Sequence, residues 1–160
     1  MLDQLFASPA VKRIAFTGST ATGRQVLAGC VDSFKKVSLE LGGSLPMVVC
    51  ADCDLDAAVA GAVRRSFRNM GQICIAINRI YVDASIYEEF MTRFARETGK
   101  LTMGDGLAKK CDLGPMCTRA GVETAMRHIA DAVARGATVA AGGKRPAGVE
   151  YEKGNFFEPT

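Results

Sequence analysis

Long apolar runs and an excess of one charge are what this sequence lacks. No stretch approaches the ~20 apolar residues of a membrane-spanning helix, and the amino terminus, which carries Asp3, has no apolar segment of signal-peptide length. The 20 Lys and Arg residues nearly balance the 17 Asp and Glu residues, so the net charge of +3 does not indicate a nucleic-acid or membrane partner. We therefore expect a cytoplasmic protein with neither partner.

Histidine is nearly absent, which weakens the case for a metal site. The single histidine, His128, falls off the predicted apolar stripe of its helix, and we expect it to be solvated. Three alternate aspartates that begin at Asp52 imitate a calcium loop, but Ala57 stands where glycine is needed and Val63 where the closing glutamate belongs. We predict no metal site.

Apolar residues, by contrast, are plentiful. They make up 48% of the 160 residues, which is enough to bury a sizeable core. Six cysteines occur, at positions 30, 50, 53, 74, 111 and 117. Because the sequence has no secretion signal and needs no covalent staples, we expect reduced thiols.

Strand and helix patterns alternate along the chain, which predicts an α/β fold. Strand-forming runs occupy residues 13–17, 36–41, 46–50, 77–82 and 137–140. Four helices are predicted, with these inward faces: Val26 and Leu27; Val59, Ala62, Val63, Ser66, Phe67 and Met70, after a cap at Asp54 or Asp56; Phe90, Phe94 and Ala95; and Val122, Met126, Ile129 and Val133. The segment 99–118 is predicted to be a surface loop.

Cys74 is the first candidate for chemistry. It comes just past a predicted helix end and before a strand, where a thiol can face a cleft while its own backbone N–H stays free to donate. A nucleophilic cysteine reacts as its thiolate, which attacks a carbonyl carbon far faster than the thiol does. Taken alone, however, the local sequence favours a small core residue.

Glu40 is the second candidate. It stands near the end of an alternating apolar strand, beside Gly42-Gly43, where the backbone can swing and a ligand can approach. A carboxylate in that setting can serve as a general base. The commoner outcome at such a position is an exposed residue on the polar face of the strand.

The segment 18–23, Gly-Ser-Thr-Ala-Thr-Gly, follows a strand and opens a helix. Its free N–H groups and the positive end of the helix dipole can hold a phosphate. The segment is neither the GxGxxG fingerprint nor a Walker loop, since no lysine follows Gly23, and simple helix capping produces the same pattern.

The order of these motifs is more specific than any one of them. Residues 16–20, 39–43, 67–74, 104–105 and 114–115 read F-T-G-S-T, L-E-L-G-G, F-x-N-x-G-Q-x-C, G-D and G-P. In this order they resemble the aldehyde dehydrogenase superfamily, and the similarity extends from about Pro9 to Pro159. The resemblance implies an aldehyde dehydrogenase-like fold: residues 1–41 would belong to a Rossmann-like cofactor domain and residues 42–160 to the α/β catalytic domain.

The resemblance also implies a mechanism. Cys74 would attack the aldehyde to give a thiohemiacetal, hydride would pass to NAD or NADP, and Glu40 would activate the water that cleaves the resulting thioester. The backbone N–H of Cys74 would donate to the oxyanion. The cofactor-binding residues would be Gly18 and Ser19, by the phosphates, and Leu41 and Gly42, near the nicotinamide.

Departures from the family pattern bear on activity. Ser44 stands where the family commonly has lysine, and we expect only a local effect. Family chains are also considerably longer on both sides and carry the rest of the dinucleotide groove there. We therefore expect the isolated chain to be inactive, with exposed strand edges, and the parent enzyme to be a homo-oligomer.

The similarity of residues 71–79 to the succinate-semialdehyde branch suggests a semialdehyde as the small-molecule substrate.

Two interpretations from other classes remain open. Cys50-Ala51-Asp52-Cys53 has the C-x-x-C spacing of a redox pair, or of half a metal site with Cys111 and Cys117, although no histidine lies near the second pair. The chain can also be a non-catalytic folded fragment or binding module that keeps the glycine turn. Alkylation rates of the six thiols separate an enzyme-derived site from such a scaffold.

Overall fold

The computed structural model describes residues 2–107 and 110–160, and the α/β architecture predicted above is confirmed. The strands are β1 (Arg13–Gly18), β2 (Lys36–Leu41), β3 (Leu45–Val49) and β4 (Ile77–Val82), and the helices are α1 (Leu2–Ala7), α2 (Thr20–Cys30), α3 (Leu55–Phe67), α4 (Tyr87–Thr98) and α5 (Arg119–Ala134). Short 3-10 helices span Arg68–Gly71, Ala84–Ile86 and Val149–Tyr151. Backbone contacts divide the chain into two compact units, Met1–Gly43 and Ser44–Thr160. Within the described ranges, no helix is long and apolar enough to cross a membrane.

The first unit is a β-α-β crossover. β1 and β2 run parallel, and α2 connects them. Ile14 of β1 packs with Val26 and Cys30 of α2 in a small buried cluster. The predicted apolar face of α2 is therefore only half right: Val26 is buried, whereas Leu27 is 50% exposed and lies outside this cluster.

The second unit repeats this plan with different lengths. β3 and β4 run parallel, and α3 lies between them in the chain. Of the two aspartates proposed to cap α3, Asp54 does so, since its Oδ1 accepts a hydrogen bond of 3.0 Å from the N–H of Ala57. The core of the unit is formed by Val49 of β3, Val59 and Ala62 of α3, and Phe90 of α4.

Both sheets contain two strands in the described part of the chain, so every strand keeps one open edge. Parallel sheets usually contain more strands than two and have both faces covered by helices. A parallel sheet of two strands is small by comparison. The predicted exposure of strand edges agrees with this topology.

Residues 137–140 do not form the predicted strand. The N–H of Ala137 donates to the carbonyl of Ala132 at 3.0 Å, which closes the end of α5 instead of beginning a ladder. No described strand pairs with this segment, and without ladder hydrogen bonds an apolar run remains extended loop.

The predicted stripe of α5 is only partly buried. Val122 is buried, but Met126 and Val133 are 50% and 48% exposed. A cavity of about 260 Å³ lies between α4, α5 and the segment after α5, and Val133 lines it. The described residues therefore leave part of this helix face without a packing partner.

The structure also differs from the prediction at the end of α3 and in having the helix α1. α3 ends at Phe67, so Met70 lies outside the helix whose inward face it was expected to extend. α1 was not predicted from the sequence, and none of its residues is buried. Its apolar residues Leu2, Leu5 and Phe6 do have helical spacing, but six residues are too few for that spacing to distinguish a helix.

Candidate active site

The loop that carries Cys74 has an unusual backbone. After α3, three successive residues adopt the left-handed conformation: Asn69 (φ 53°), Met70 (φ 58°) and Gly71 (φ 70°). Asparagine and glycine tolerate this region, but methionine does so at a cost of about 1–2 kcal/mol. Such a conformation persists only where the surrounding structure holds it.

Reciprocal hydrogen bonds hold this loop. The side-chain amide of Asn69 donates to the carbonyl of Gln72 at 3.1 Å, and the side-chain amide of Gln72 donates to the carbonyl of Asn69 at 3.0 Å. The remaining side-chain oxygen of Gln72 accepts a hydrogen bond of 3.0 Å from the N–H of Cys117. We call Asn69, Gln72 and Cys117 the loop clamp; it fixes the chain two residues before Cys74.

Cys74 itself is exposed, so the core position favoured by its local sequence alone is wrong. It lies in a turn closed by a hydrogen bond of 3.0 Å from the N–H of Ala76 to the carbonyl of Ile73. No residue within 2–107 or 110–160 accepts a hydrogen bond from the N–H of Cys74. A thiol and an uncommitted backbone donor therefore lie on the same residue, as the sequence predicts.

The loop that carries Cys74 leads into β4, at the end of the second unit's sheet where β3 and β4 both begin. Leu45, the first residue of β3, pairs with Ile77, the first residue of β4, three residues after Cys74. The side-chain amide of Asn78 donates to the hydroxyl of Ser44 at 2.9 Å. Ser44, which stands where the resemblance predicts lysine, is thus bonded to the same end of the sheet.

In the first unit, the start of α2 offers two backbone donors. Ser19 caps the helix: its Oγ accepts from the N–H of Thr22 at 3.2 Å, and its carbonyl accepts from the N–H of Gly23 at 2.9 Å. Among the described residues, the N–H groups of Thr20 and Ala21 find no acceptor. They point along the helix axis, where an anion is favoured by the helix dipole.

The remaining predicted residues of the first unit lie beside this helix start. In the parallel register, Glu40 is opposite Thr17 and Leu41 is opposite Gly18, so these residues share the carboxyl edge of the β1–β2 pair. Glu40 is exposed there. The carboxyl edge is where open parallel sheets bind ligands.

The space around Gly42 bears on whether a cofactor can bind at this edge. A side-chain carbon added to Gly42 would meet no heavy atom of the described chain within 4 Å, and its φ is not positive. Nothing in the described fold therefore requires glycine at this position, and the open space leaves room for a ligand to approach the backbone. The free N–H groups of Thr20 and Ala21 fit a phosphate, and the open space at Gly42 leaves room for another part of a dinucleotide.

The structure thus brings Gly18, Ser19, Glu40, Leu41 and Gly42 to one edge of the first unit, whereas Cys74 belongs to the second unit. No group of three His, Cys, Asp or Glu side chains within the described ranges could hold a metal ion. His128 is exposed, as predicted.

The loop clamp was missed by the sequence reasoning as a functional device. In the sequence, Asn69 and Gln72 stand out only as two letters of the motif F-x-N-x-G-Q-x-C. The fixed spacing of Asn and Gln in that motif is the available signal, because two amides three residues apart can bond each other's carbonyls across a turn.

Comparison with known proteins decides the family. The family model described as the aldehyde dehydrogenase family matches residues 1–160. The chain belongs to the aldehyde dehydrogenase family. Its relatives include the NADP(+) succinate-semialdehyde dehydrogenase of Escherichia coli K12, 44% identical over 158 residues, and the mitochondrial succinate-semialdehyde dehydrogenase of Rattus norvegicus, 45% identical over 159 residues.

These matches cover 99% of this chain but only 32% and 30% of the two relatives, so the chain spans about a third of their length. Solved family structures superpose closely. An E. coli NADP-dependent enzyme has a TM-score of 0.93 at 43% identity, over 99% of this chain and 32% of that one. A betaine aldehyde dehydrogenase of Staphylococcus aureus in complex with NAD+ has a TM-score of 0.90 at 31% identity, over 98% and 31%. The predicted aldehyde dehydrogenase-like fold is confirmed.

Proposed function

We propose that this chain is the part of an NAD(P)-dependent aldehyde dehydrogenase that supplies the nucleophile, Cys74, and the general base, Glu40. One observation carries the proposal: the exposed thiol of Cys74 lies on a clamped turn beside its own uncommitted N–H. A structural cysteine has no need of a held loop, and a reactive one does, because attack requires a fixed approach to the carbonyl carbon.

The chain's own residues account for the covalent steps. The Cys74 thiolate adds to the aldehyde carbon and forms a thiohemiacetal, whose oxyanion accepts a hydrogen bond from the N–H of Cys74. A bound dinucleotide would supply the hydride acceptor that oxidises this carbon to the thioester. Glu40 then takes a proton from water, the hydroxide attacks the thioester, and the Cys74 thiolate leaves as the carboxylic acid is released.

We propose that Gly18 and Ser19 lie by the cofactor phosphates and that Leu41 and Gly42 lie toward the nicotinamide. The free N–H groups at the start of α2 and the open space at Gly42 support these roles. The cofactor is NAD or NADP: one relative is named for NADP(+), and one solved family member contains NAD+.

We propose a semialdehyde as the substrate. Relatives at 42–45% identity are named succinate- or glutarate-semialdehyde dehydrogenases, and these names denote aldehydes with a carboxylate at the far end. The parent enzyme is expected to act as a homo-oligomer.

Alkylation kinetics test the nucleophile in the chain as it exists. Cys50, Cys74 and Cys117 are all exposed, so they form a set matched for access. With limiting iodoacetamide and peptide mass spectrometry, Cys74 is expected to react roughly tenfold faster than Cys117. The variant Cys74→Ser should lose the fast phase and keep the slow ones. Equal rates at the three thiols would refute the nucleophile and favour a non-catalytic scaffold.

A further inference from the structure

A second pair of thiols lies at the far end of β3. Cys50 follows Val49, the last residue of the strand, and the N–H of Cys53 donates to the carbonyl of Cys50 at 3.2 Å. This hydrogen bond closes a four-residue turn. The first and fourth Cα atoms of such a turn are less than about 7 Å apart, and disulfides usually join Cα atoms about 4.4–6.8 Å apart. The backbone therefore already holds the two cysteines within bridging range.

The turn is anchored on both sides. The N–H of Asp83 donates to the carbonyl of Val49 at 3.0 Å, which fixes the chain before Cys50. Asp54 caps α3 directly after Cys53. These bonds hold both flanks, so the turn keeps the two cysteines at this backbone spacing.

The two thiols differ in access. Cys50 is exposed, whereas Cys53 is half-buried against the core cluster of the second unit. An oxidant in solution reaches Cys50 first. Cys53 lies close enough in the turn to attack the mixed disulfide that forms on Cys50. This is the arrangement of an attacking thiol with a resolving partner.

The pair is separate from the thiol loop. Cys50 and Cys53 follow the carboxyl end of β3, and the loop of Cys74 enters at the amino end, since Leu45 pairs with Ile77. The five residues of β3 put roughly 16 Å between these ends of the sheet. A reaction at one place therefore leaves the geometry of the other intact.

We propose that Cys50 and Cys53 form a reversible intramolecular disulfide, a redox modification site distinct from the Cys74 loop, with low-molecular-weight disulfides as the oxidant. The Cys50 thiolate attacks one sulfur of oxidised glutathione, breaks its S–S bond and releases one glutathione thiolate. The Cys53 thiolate then attacks the Cys50 sulfur of the mixed disulfide and releases the second glutathione. Two protein thiols are oxidised, and one glutathione disulfide is reduced to two thiols.

Peptide mass spectrometry tests this proposal. Trypsin cleavage after Lys36 and Arg64 places Cys50 and Cys53 in one peptide that contains no other cysteine. After equilibration of the reduced chain with oxidised glutathione and trapping with iodoacetamide, that peptide should carry no alkyl group and be two hydrogens lighter. In Cys50→Ser and Cys53→Ser, the remaining cysteine should retain glutathione, about tenfold or more above the wild-type level, because an intramolecular thiol acts at millimolar or higher effective concentration.

The control is Cys117→Ser, which removes another exposed thiol and should leave the bridge unchanged. The alkylation rate of Cys74 should be the same in the reduced and bridged forms, as the separation of the two places requires. A wild-type peptide that accumulates glutathione adducts as fully as the single variants, or that stays alkylated while Cys117 is glutathionylated, would overturn the proposal.

Discussion

Val48 of β3 and Tyr81 of β4 lie directly opposite each other in the parallel register, and they are 70% and 57% exposed. The alternate residues on these strands, among them Val49 and Ile80, face the helices and the core cluster. Parallel sheets normally have both faces covered, because their connections place helices on each side. In the isolated chain one apolar face of this sheet is therefore uncovered.

We expect the purified chain to self-associate through this face and the open strand edges. Val48→Lys should shift the population toward monomer, because a charge on an open sheet face opposes stacking and edge pairing. Sedimentation velocity measures the shift. Val49→Lys is the matched control: Val49 is only 2% exposed, so the same charge there should unfold the second unit instead of favouring the monomer. A wild-type chain that is monomeric throughout would contradict this expectation.

The alternation of strands and helices could be predicted because it depends on local periodicity. Ile77–Val82 was predicted to the residue, and β2 likewise, since both combine apolar alternation with glycine or polar boundaries. The strand predicted at residues 137–140 failed because a strand also needs a partner, which no local pattern supplies. The exposure of Leu27, Met126 and Val133 has the same origin: an apolar stripe predicts a buried face, but burial depends on what packs there.

The candidate site was predicted by motif order rather than by periodicity. Glu40 and Cys74 have unremarkable local sequences, and Cys74 alone would be assigned to the core. What no local pattern could reveal is the left-handed backbone at Met70, since methionine is not a residue that signals positive φ. The bonds of the loop clamp, which join Gln72 to Cys117, are likewise long-range.

The left-handed loop before Cys74 should be sensitive to an added side-chain carbon. Gly71 has a φ of 70°, and a Cβ there would lie 3.1 Å from the carbonyl oxygen of Ser66. Gly71→Ala should lower the free energy of unfolding by about 1–2 kcal/mol. Gly61, inside α3, has open space around it, so Gly61→Ala should raise the free energy by about 0.5–1 kcal/mol. Urea titrations of both variants give the comparison, and a Gly71→Ala chain as stable as the wild type would show that the loop is not held in this conformation.

Asp112 should make stability depend on acid. The backbone N–H of Thr102 and, next, its hydroxyl donate to Oδ2 of Asp112, both at 2.8 Å, and hold the pKa of this carboxyl below its ordinary value of 3.8. Because the folded pKa is the lower one, the unfolded chain binds the proton more readily, and the contribution is lost as pH falls below 3.8 through the folded value.

Asp112→Asn removes this titration. The variant should be less stable than the wild type near neutral pH, and the difference should shrink once the wild-type carboxyl is protonated. Chemical denaturation at a series of pH values measures both curves. A difference that stays constant down to strongly acidic pH would exclude Asp112 as its source.

The isolated chain should not turn over aldehydes. It spans about a third of the succinate-semialdehyde dehydrogenases it resembles, and most of the dinucleotide groove would lie outside it. With succinate semialdehyde and either NAD or NADP, absorbance of the reduced cofactor should not rise above the level of a Cys74→Ala control. Cofactor-dependent turnover that disappears in this variant would show that a third of the enzyme suffices.

The two parallel strand pairs also set an order of events during translation. A parallel pair cannot form as a hairpin, so β1 waits for β2, and β3 waits for β4 across the whole of α3. The β1–β2 pair beside Glu40 can form once Leu41 has left the ribosome, while Cys74 emerges later, with β3 still unpaired. The strand pair that carries the carboxylate can thus form before the thiol has been translated.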